Sequence, residues 1–599
     1  MPRLQLSHLL VTGSARRRAA ADLARVLTPR GALSLHKVDG AFTCAVHAAL
    51  AMALPAMPLV LTGRAEQAVY AMLGAFTTTF GHNLPYPRRA RVLALAGVAM
   101  TVCVGGGSLL AAWAHPREGG GGAVVVVAAT AVVAGAAKFA CDAVRQSGLG
   151  AVLLLFSFAV AANASPVFDD VLPQTALAAV GAAVAWALAM SGRLVQPDRP
   201  QRLAVAAALR QLAGLLESGG ARHGGGPARN RATAAVLQAY VSLGLLPPTG
   251  AGQGARGGVC ARLTDLSWSL LIGSVRRSPD DHADLARHLR RQVRLLTDRH
   301  RRVPPLLPEL PVPVAATRTG AAEDATGTAP EPIDPAAGRA AETRAAATRA
   351  AELLVGRRQG RPSHVSVLVV PALRIVLGTG LAGGLAVVLH LGHGYWAAIS
   401  AAAVLHSINV RTAAQRAVQR TVGTVAGLVV ALAVLALRPD AATLVLVIVL
   451  LEFLLEYVVS RNYGLGVVFL TPLALLLTEL AAPSAPGTLI LDRAVGSILG
   501  IAIGLLCGLL VVHDRAAVRA EHALTACTEA AEHAERALDE RSAQAFSFVQ
   551  THLAVAVVEL READDAAAGE LWSAEIDPAE LAAAEQRAYL LLERLARGR

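Results

Sequence analysis

Charge is scarce in this chain. Only 16% of its 599 residues are Asp, Glu, Lys or Arg, whereas about a quarter is usual for a soluble globular protein. Cysteine is scarce too: there are six, and no two stand in a CxxC spacing. Cys44, Cys103 and Cys507 fall inside apolar runs, and Cys141, Cys260 and Cys527 in or beside polar segments. A disulfide framework or a zinc site is therefore not expected, and reduced thiols are. The lysines, Lys37 and Lys138, stand in no glycine-rich loop. A phosphate-binding GxxxxGK[ST] is thus missing, which removes ATP hydrolysis by this chain's own residues as a power source. No GxSxG, no HExxH and no acidic cluster is present, so the chain is not expected to be an enzyme or to hold a metal or other cofactor. No apolar run precedes residue 41. A cleaved signal peptide is not expected, and the first span would itself direct insertion.

What the chain has in quantity is hydrophobic residues, at 54% and a mean hydropathy of +0.49, gathered into long blocks. That pattern is a polytopic membrane protein. Six runs lie at about 41–62, 66–80, 90–113, 122–140, 148–163 and 172–191, and six more at about 367–391, 394–408, 418–437, 441–459, 464–480 and 488–512. Alanine and glycine dominate the first six, which lets helices approach closely in lipid. Arginine sets the direction. Arg88, Arg89, Arg91, Lys138, Arg145, Arg193 and Arg199 fall on one side of the first six runs; Arg357, Arg358, Arg361, Arg411, Arg416, Arg420, Arg461, Arg515 and Arg519 fall on the matching side of the second six. By the positive-inside tendency this side is cytoplasmic, with both termini there. The net charge of +12 and pI near 10.1 are thus explained by topology and anionic lipid rather than nucleic acid.

The remaining segments are polar. Residues 1–40 are basic and read as a lead-in, part of it an amphipathic surface helix. Residues 194–302 read as a helical cytoplasmic domain with helices near 200–217, 230–244, 261–277 and 281–300. Residues 303–365 read as a Pro/Ala-rich linker followed by a short helix near 337–356, and residues 513–599 as a helical tail broken at Asp577-Pro578. The membrane blocks are 41–193 and 366–512. The expected fold class is all-α: two six-helix transmembrane bundles, related as a parallel repeat, with helical cytoplasmic domains.

The repeat rests on short matches. Arg145-Gln-Ser-Gly148-Leu-Gly150 can be laid on Arg461-Asn-Tyr-Gly464-Leu-Gly466, Tyr70 precedes Arg91 by the same spacing as Tyr395 precedes Arg416, and His82 and His406 each close a short run. Parallel repeats place substrate at the interface between halves, and short or interrupted spans at matching places point to it. The second and fifth runs of each half are short and bounded by glycine, which is read either that way or as inward-tilted helices.

Several side chains carry a functional and a plainer reading together. Arg416 and Arg420 share a helix face and suit a carboxylate, or they obey the topology rule. Arg461 is read in the same two ways. Arg374 lies inside a span, where an ionisable group faces protein or water or snorkels to the edge. Tyr395 and Trp396 are stacking partners for an aromatic ligand or part of an interfacial belt. His82 and His406 are candidate proton carriers or capping residues. Gly423, Gly464 and Gly466 are helix-packing positions.

The stretch from Gly394 to Leu428 also resembles the signature of the fusaric acid resistance protein-like (FUSC) family of bacterial inner-membrane proteins. The likeness lies in Tyr395-Trp396-Ala397-Ala398-Ile399, Gln415-Arg416, Gln419-Arg420-Thr421-Val422-Gly423-Thr424 and Arg461-Asn462-Tyr463-Gly464, and extends over about 366–512. The resemblance implies an inner-membrane exporter of small organic, including aromatic, acids, working as carrier or channel. Expected partners are membrane lipid and a small organic anion, not nucleic acid, with a homo-oligomer left open. The alternative is a membrane scaffold whose cytoplasmic domains bind partners. Polar and aromatic groups lining the space between halves favour transport, and solid Ala/Leu packing favours a scaffold.

Overall fold

In lipid the backbone must satisfy its own hydrogen bonds, which leaves helices or closed barrels. In a computed structural model of the chain, the regular elements of the described residues are all helices. The structure describes residues 40–82, 84–116, 120–144, 149–164, 166–217, 226–244, 258–273, 279–298, 305–310, 363–407, 410–459, 461–481, 486–510, 515–540, 546–567 and 577–597. The lead-in expected at 1–40, apart from Gly40, lies outside these residues. So do the short helix expected near 337–356, the stretch Arg145–Gly148, and the linker except for its residues 305–310 and 363–365.

The first membrane half comprises α1 (Ala41–Leu61), α2 (Ala65–Ala75, continued by a 3-10 turn at Phe76–Thr79), α3 (Tyr86–Ala114), α4 (Gly121–Ala143), α5 (Gly150–Ala162) and α6 (Phe168–Val195). A polar group follows: α7 (Arg199–Glu217), α8 (Gly226–Leu243), α9 (Val259–Gly273) and α10 (Pro279–Thr297). The second half comprises α11 (Ser363–Val388), α12 (Tyr395–Leu405), α13 (Val410–Ala436), α14 (Ala441–Val459), α15 (Tyr463–Ala481) and α16 (Pro486–Leu510). The tail holds α17 (Arg515–Asp539), α18 (Phe546–Ala567) and α19 (Pro578–Arg597). Among the described residues, nine helices are long and apolar enough to cross a membrane: α1, α3, α4, α6, α11, α13, α14, α15 and α16. The chain is an all-α, multi-pass membrane protein.

The three short apolar helices explain the layering. α2, α5 and α12 have 11, 13 and 11 residues, about 16–20 Å at 1.5 Å per residue, too short for a hydrocarbon core of about 30 Å. They lie in the middle. Every residue of α12 is buried, and so is every residue of α5 after Gly150. α15 joins them: 72% of its apolar window is buried, against 28–39% for the other eight spans. The outer helices turn apolar side chains outward, as Leu95, Val98 and Val102 do on α3 and Val422, Val425 and Val429 on α13.

Contacts between helices repeat from half to half. The pairs α1–α2, α2–α6, α3–α5, α4–α5, α1–α6 and α3–α6 recur as α11–α12, α12–α16, α13–α15, α14–α15, α11–α16 and α13–α16. Contacts between the halves are reciprocal as well: α1–α14 mirrors α4–α11, and α2–α15 mirrors α5–α12. Reciprocal pairing of this kind is the pattern of a two-fold relation. The halves share one continuous apolar core, which takes Met72, Phe76 and Phe156 from the first and Trp396, Leu473 and Leu477 from the second.

Helices α7–α10 and α17–α19, widely separated in sequence, pack into one polar domain around Leu209, Tyr240, Trp268, Leu553 and Leu592. Asp577 accepts a bond from the Ala579 N–H (2.9 Å) and so starts α19, as an Asp-Pro pair is suited to do. Elements of this domain follow both α6 and α16 in the chain, and Gly40 at the start of α1 meets Leu203 of α7.

The tail is tied down through Tyr589. Its hydroxyl bonds Asn230 and lies 3.4 Å from the Thr233 hydroxyl, while the Arg229 guanidinium stands 4.1 Å from its ring. Burial pushes the phenol up to about 12, above the value near 10 of an exposed tyrosine. Folding stability from this neutral phenol is complete below about pH 10 and is lost as pH climbs toward 12. Phenolate absorbance titration of the full chain, wild type minus Tyr589→Phe, should place the missing chromophore near the upper figure, and a midpoint near 10 in folded protein would contradict the packing.

Candidate functional site

Glycine spacing builds the site. Gly496, Gly500 and Gly504 recur every four residues and share one face of α16. α12 is seated on that face. A Cβ on Gly500 would be driven into the Ala397 carbonyl, and one on Gly496 would stand 3.1 Å from the Trp396 Cβ. With no hydrophobic pressure between helices in lipid, such backbone approach supplies the packing energy. Arg493, three residues before Gly496, is thereby pressed onto Trp396, its guanidinium carbon 4.0 Å from the ring centroid. Arg493 is 2% exposed and Trp396 1%.

Three further elements close around this pair. Phe156 of α5, from the other half, lies 6.0 Å from the Trp396 ring at 26°, and Phe76 meets Phe156 edge-on at 6.0 Å. Tyr395 tilts against Trp396 at 4.7 Å and its hydroxyl lies 3.3 Å from that of Thr478 on α15. From α13, Arg420 is 1% exposed and reaches Ser400 of α12 (3.3 Å) and the Tyr463 hydroxyl of α15 (3.4 Å). Arg420, Tyr395 and Tyr463 are the charged and phenolic groups that bear on Arg493.

The balance of donors and acceptors is lopsided. Arg493 Nε and Nη1, Arg420 Nε and Trp396 Nε1 are all buried without a hydrogen-bond partner, and so are the hydroxyls of Ser497 and Thr424 one turn further along α16 and α13. Among the described residues no carboxylate stands within ion-pair distance of either arginine. The nearest in sequence, Asp492, is taken up at the entrance to α12, where it accepts from the His393 N–H (3.1 Å) and pairs with His393 Nδ1 (2.9 Å). Buried donors without acceptors are costly, and a pair of guanidiniums more so. A carboxylate, sulfonate or phosphate would satisfy them.

The remaining singled-out residues are spread around this centre. Arg416 and Arg420 lie one turn apart on α13, which begins at Val410; Arg420 is about 15 Å inside it. Arginine is nearly as good a helix former as alanine, so the helix continues through both. Arg416 lies 5.8 Å from the Tyr463 ring, and Arg461 stands over Tyr457 at 4.0 Å, away from Trp396. Arg374 donates to the Gly508 carbonyl (3.2 Å) near the far end of α16. His406 Nδ1 donates to the Ala402 carbonyl (2.7 Å). Gly423 packs on Gly464 and Val467, Gly464 on Gln419, and Gly466 on Val459. His82 gains a partner that its sequence neighbourhood does not supply: Glu456 of α14, at 4.0 Å across the two halves.

Glu452 and Glu456 are absent from the residues picked out by motif, as is Arg493 as a buried group. The available signal is simple: they are ionisable groups inside apolar runs, four apart in Leu-Leu-Glu-Phe-Leu-Leu-Glu and two turns inside α16.

Residues 381–507 match the family model described as fusaric acid resistance protein-like. This segment is similar to that family. The matched stretch runs from within α11 to within α16 and contains Trp396, Arg420, Glu452, Glu456 and Arg493, while Phe156, His82 and Arg374 fall outside it. An uncharacterized membrane protein of Bacillus subtilis (strain 168), YvaC, is 35% identical over 112 residues, which is 18% of this chain and 18% of that protein. The chain therefore matches about a fifth of the length of this curated relative. No solved structure matches the chain.

Proposed function

We propose that this protein is an inner-membrane exporter of small organic anions, including aromatic acids, with its polar domain and both termini in the cytoplasm. The observation that supports this most directly is the set of unpartnered donors on Arg493, Arg420 and Trp396, buried between helices from both halves. A ring could lie among Phe156, Trp396 and Tyr395 while its acid group faces the guanidiniums. Arg416, half-buried nearer the cytoplasmic end of α13, would gather anions at the inner mouth. A membrane potential that is negative inside favours anion exit by about 2.3 kcal/mol per charge per 100 mV.

The test is efflux of a fluorescent naphthalenesulfonate from proteoliposomes holding the full chain. A sulfonate stays charged and cannot leak as a neutral acid, so flux reports the protein. Arg420→Gln removes a buried charge-assisted contact of about 1.5–3 kcal/mol, roughly 10- to 100-fold in affinity. Arg416→Gln should change flux only severalfold, because its charge is solvated. Equal effects of the two substitutions would remove the buried site from the mechanism.

A further inference from the structure

Helix α14 carries an acidic pair that the anion site does not use. Glu452 and Glu456 are four apart and share a face, and both are buried, at 0% and 3% exposure. Neither oxygen of Glu452 has a hydrogen-bond partner. The pair lies where α14 meets α1 of the other half, with Phe453 between them packing edge-on against Phe42 at 5.8 Å. His82, in the turn after α2, brings Nε2 to 4.0 Å from Glu456. Other titratable groups that bear on this cluster are Cys44 of α1, which faces Glu456, and Arg89 of α3, which faces Cys44 and His82.

Burial grades along these three side chains. His82 is 27% exposed and Glu456 4%, and Glu452 is a further turn inward, two turns from the end of α14 on the side of the polar domain. The repeat sharpens the point. The counterpart of this junction in the first half is α4 beside His406, where Lys138 and Asp142 neutralise each other at 2.7 Å. Lys138 bears on His406 as Glu456 bears on His82. One junction is a closed ion pair, whereas the other, among the described residues, carries two acids and no fixed cation within ion-pair distance.

An isolated ionised carboxylate in such a place would cost several kcal/mol, and the neutral carboxylic acid would cost less. We infer that Glu452 and Glu456 form a proton-binding site, reached through His82 from the side of the polar domain, which alternates between proton-loaded and proton-free states during transport. A proton taken from water at one face passes to a carboxylate oxygen and is returned to water later in the cycle. What the proton drives rests on the exporter reading, whereas its binding does not.

Difference infrared spectroscopy of the full chain in lipid nanodiscs separates the two. In sodium-free buffer, the protonated-carboxyl stretch should rise and fall with pH in wild type and lose a component in Glu452→Gln. Glu456→Gln should shift or remove a second component, and His82→Gln should leave the Glu452 component in place. A pH-dependent band untouched by both glutamate substitutions in folded protein would overturn the proposal. So would a band abolished by sodium at constant pH, which would make the pair a sodium site. Glutamine keeps the shape of glutamate, and Glu456→Gln reports independently should Glu452→Gln fail to fold. In proteoliposomes, naphthalenesulfonate efflux should lose its response to a pH gradient in Glu452→Gln while exchange of internal for external sulfonate persists. An unchanged gradient response would overturn the coupling. If wild type moves no sulfonate at all, the exporter reading falls, and the infrared result still decides the proton site.

Discussion

Gly500→Ala is expected to leave little folded protein, although alanine is the better helix former by about 1 kcal/mol. The added Cβ would enter the Ala397 carbonyl and stand 2.7 Å from the Ser400 Cβ. Backbone cannot turn aside as a side chain can, so α12 and α16 must separate, at about 3 kcal/mol or more. Separation also pulls Arg493 from Trp396. The total stability of a domain is about 5–15 kcal/mol, so this single methyl is a large fraction of it. Gly181→Ala, at the same junction in the first half, drives its Cβ into the Ala71 carbonyl and should behave alike. Gly384→Ala on α11 has nothing within 4 Å and should raise the melting temperature slightly. Monodisperse yield and thermal unfolding in detergent test all three. Equal behaviour of the alanine variants at 500 and 384 would mean that α12 does not sit where glycine spacing puts it.

Long apolar runs name most of the membrane helices to within about five residues, because in lipid the local backbone demand and the tertiary answer coincide; the exception is α13, which starts eight residues before its run. The repeat and its common direction are read from arginine placement and short matches, whereas the structure shows helix contacts that recur, α1–α14 answering α4–α11. The short second and fifth runs are visible as lengths, but length does not separate a half-buried tilt from a central helix; the surrounding α3, α6, α13 and α16 decide that. Arg493 escapes because the apolar pattern starts the last span at about 488, which leaves Asp492-Arg493 at its rim. α16 begins at Pro486, and the turn before α12 comes down to meet Asp492. Glu452 and Glu456 escape for the opposite reason: the run around them is so apolar, with a mean hydropathy of 2.4 for its window, that two acids do not interrupt it. Joining of the tail to α7–α10 has no local signal, since Tyr589 and Asn230 are 359 positions apart.

Arg493→Met is expected to raise thermal stability and abolish transport together. Methionine fills much of the same volume and needs no acceptor. Replacing a buried charge with a packed apolar side chain often stabilises by about 1–4 kcal/mol, and here Nε and Nη1 have no acceptor to lose. Against this stands the cation–π contact with Trp396 at 4.0 Å, about 2 kcal/mol when desolvated. The net change is a gain of order 1 kcal/mol, read as a higher melting temperature of the solubilised chain. Transport has no such compensation, because an anion brought between Phe156 and Trp396 would lose the only fixed charge on α16 that faces the indole. Arg493→Lys keeps the charge but not the planar fork, so it should keep a measurable fraction of sulfonate efflux without the gain in stability. A structural role for Arg493 makes the opposite forecast: the methionine variant melts lower, and whatever folds still exports. The two readouts move in contrary directions only if the arginine is held in the membrane for its charge rather than for the fold.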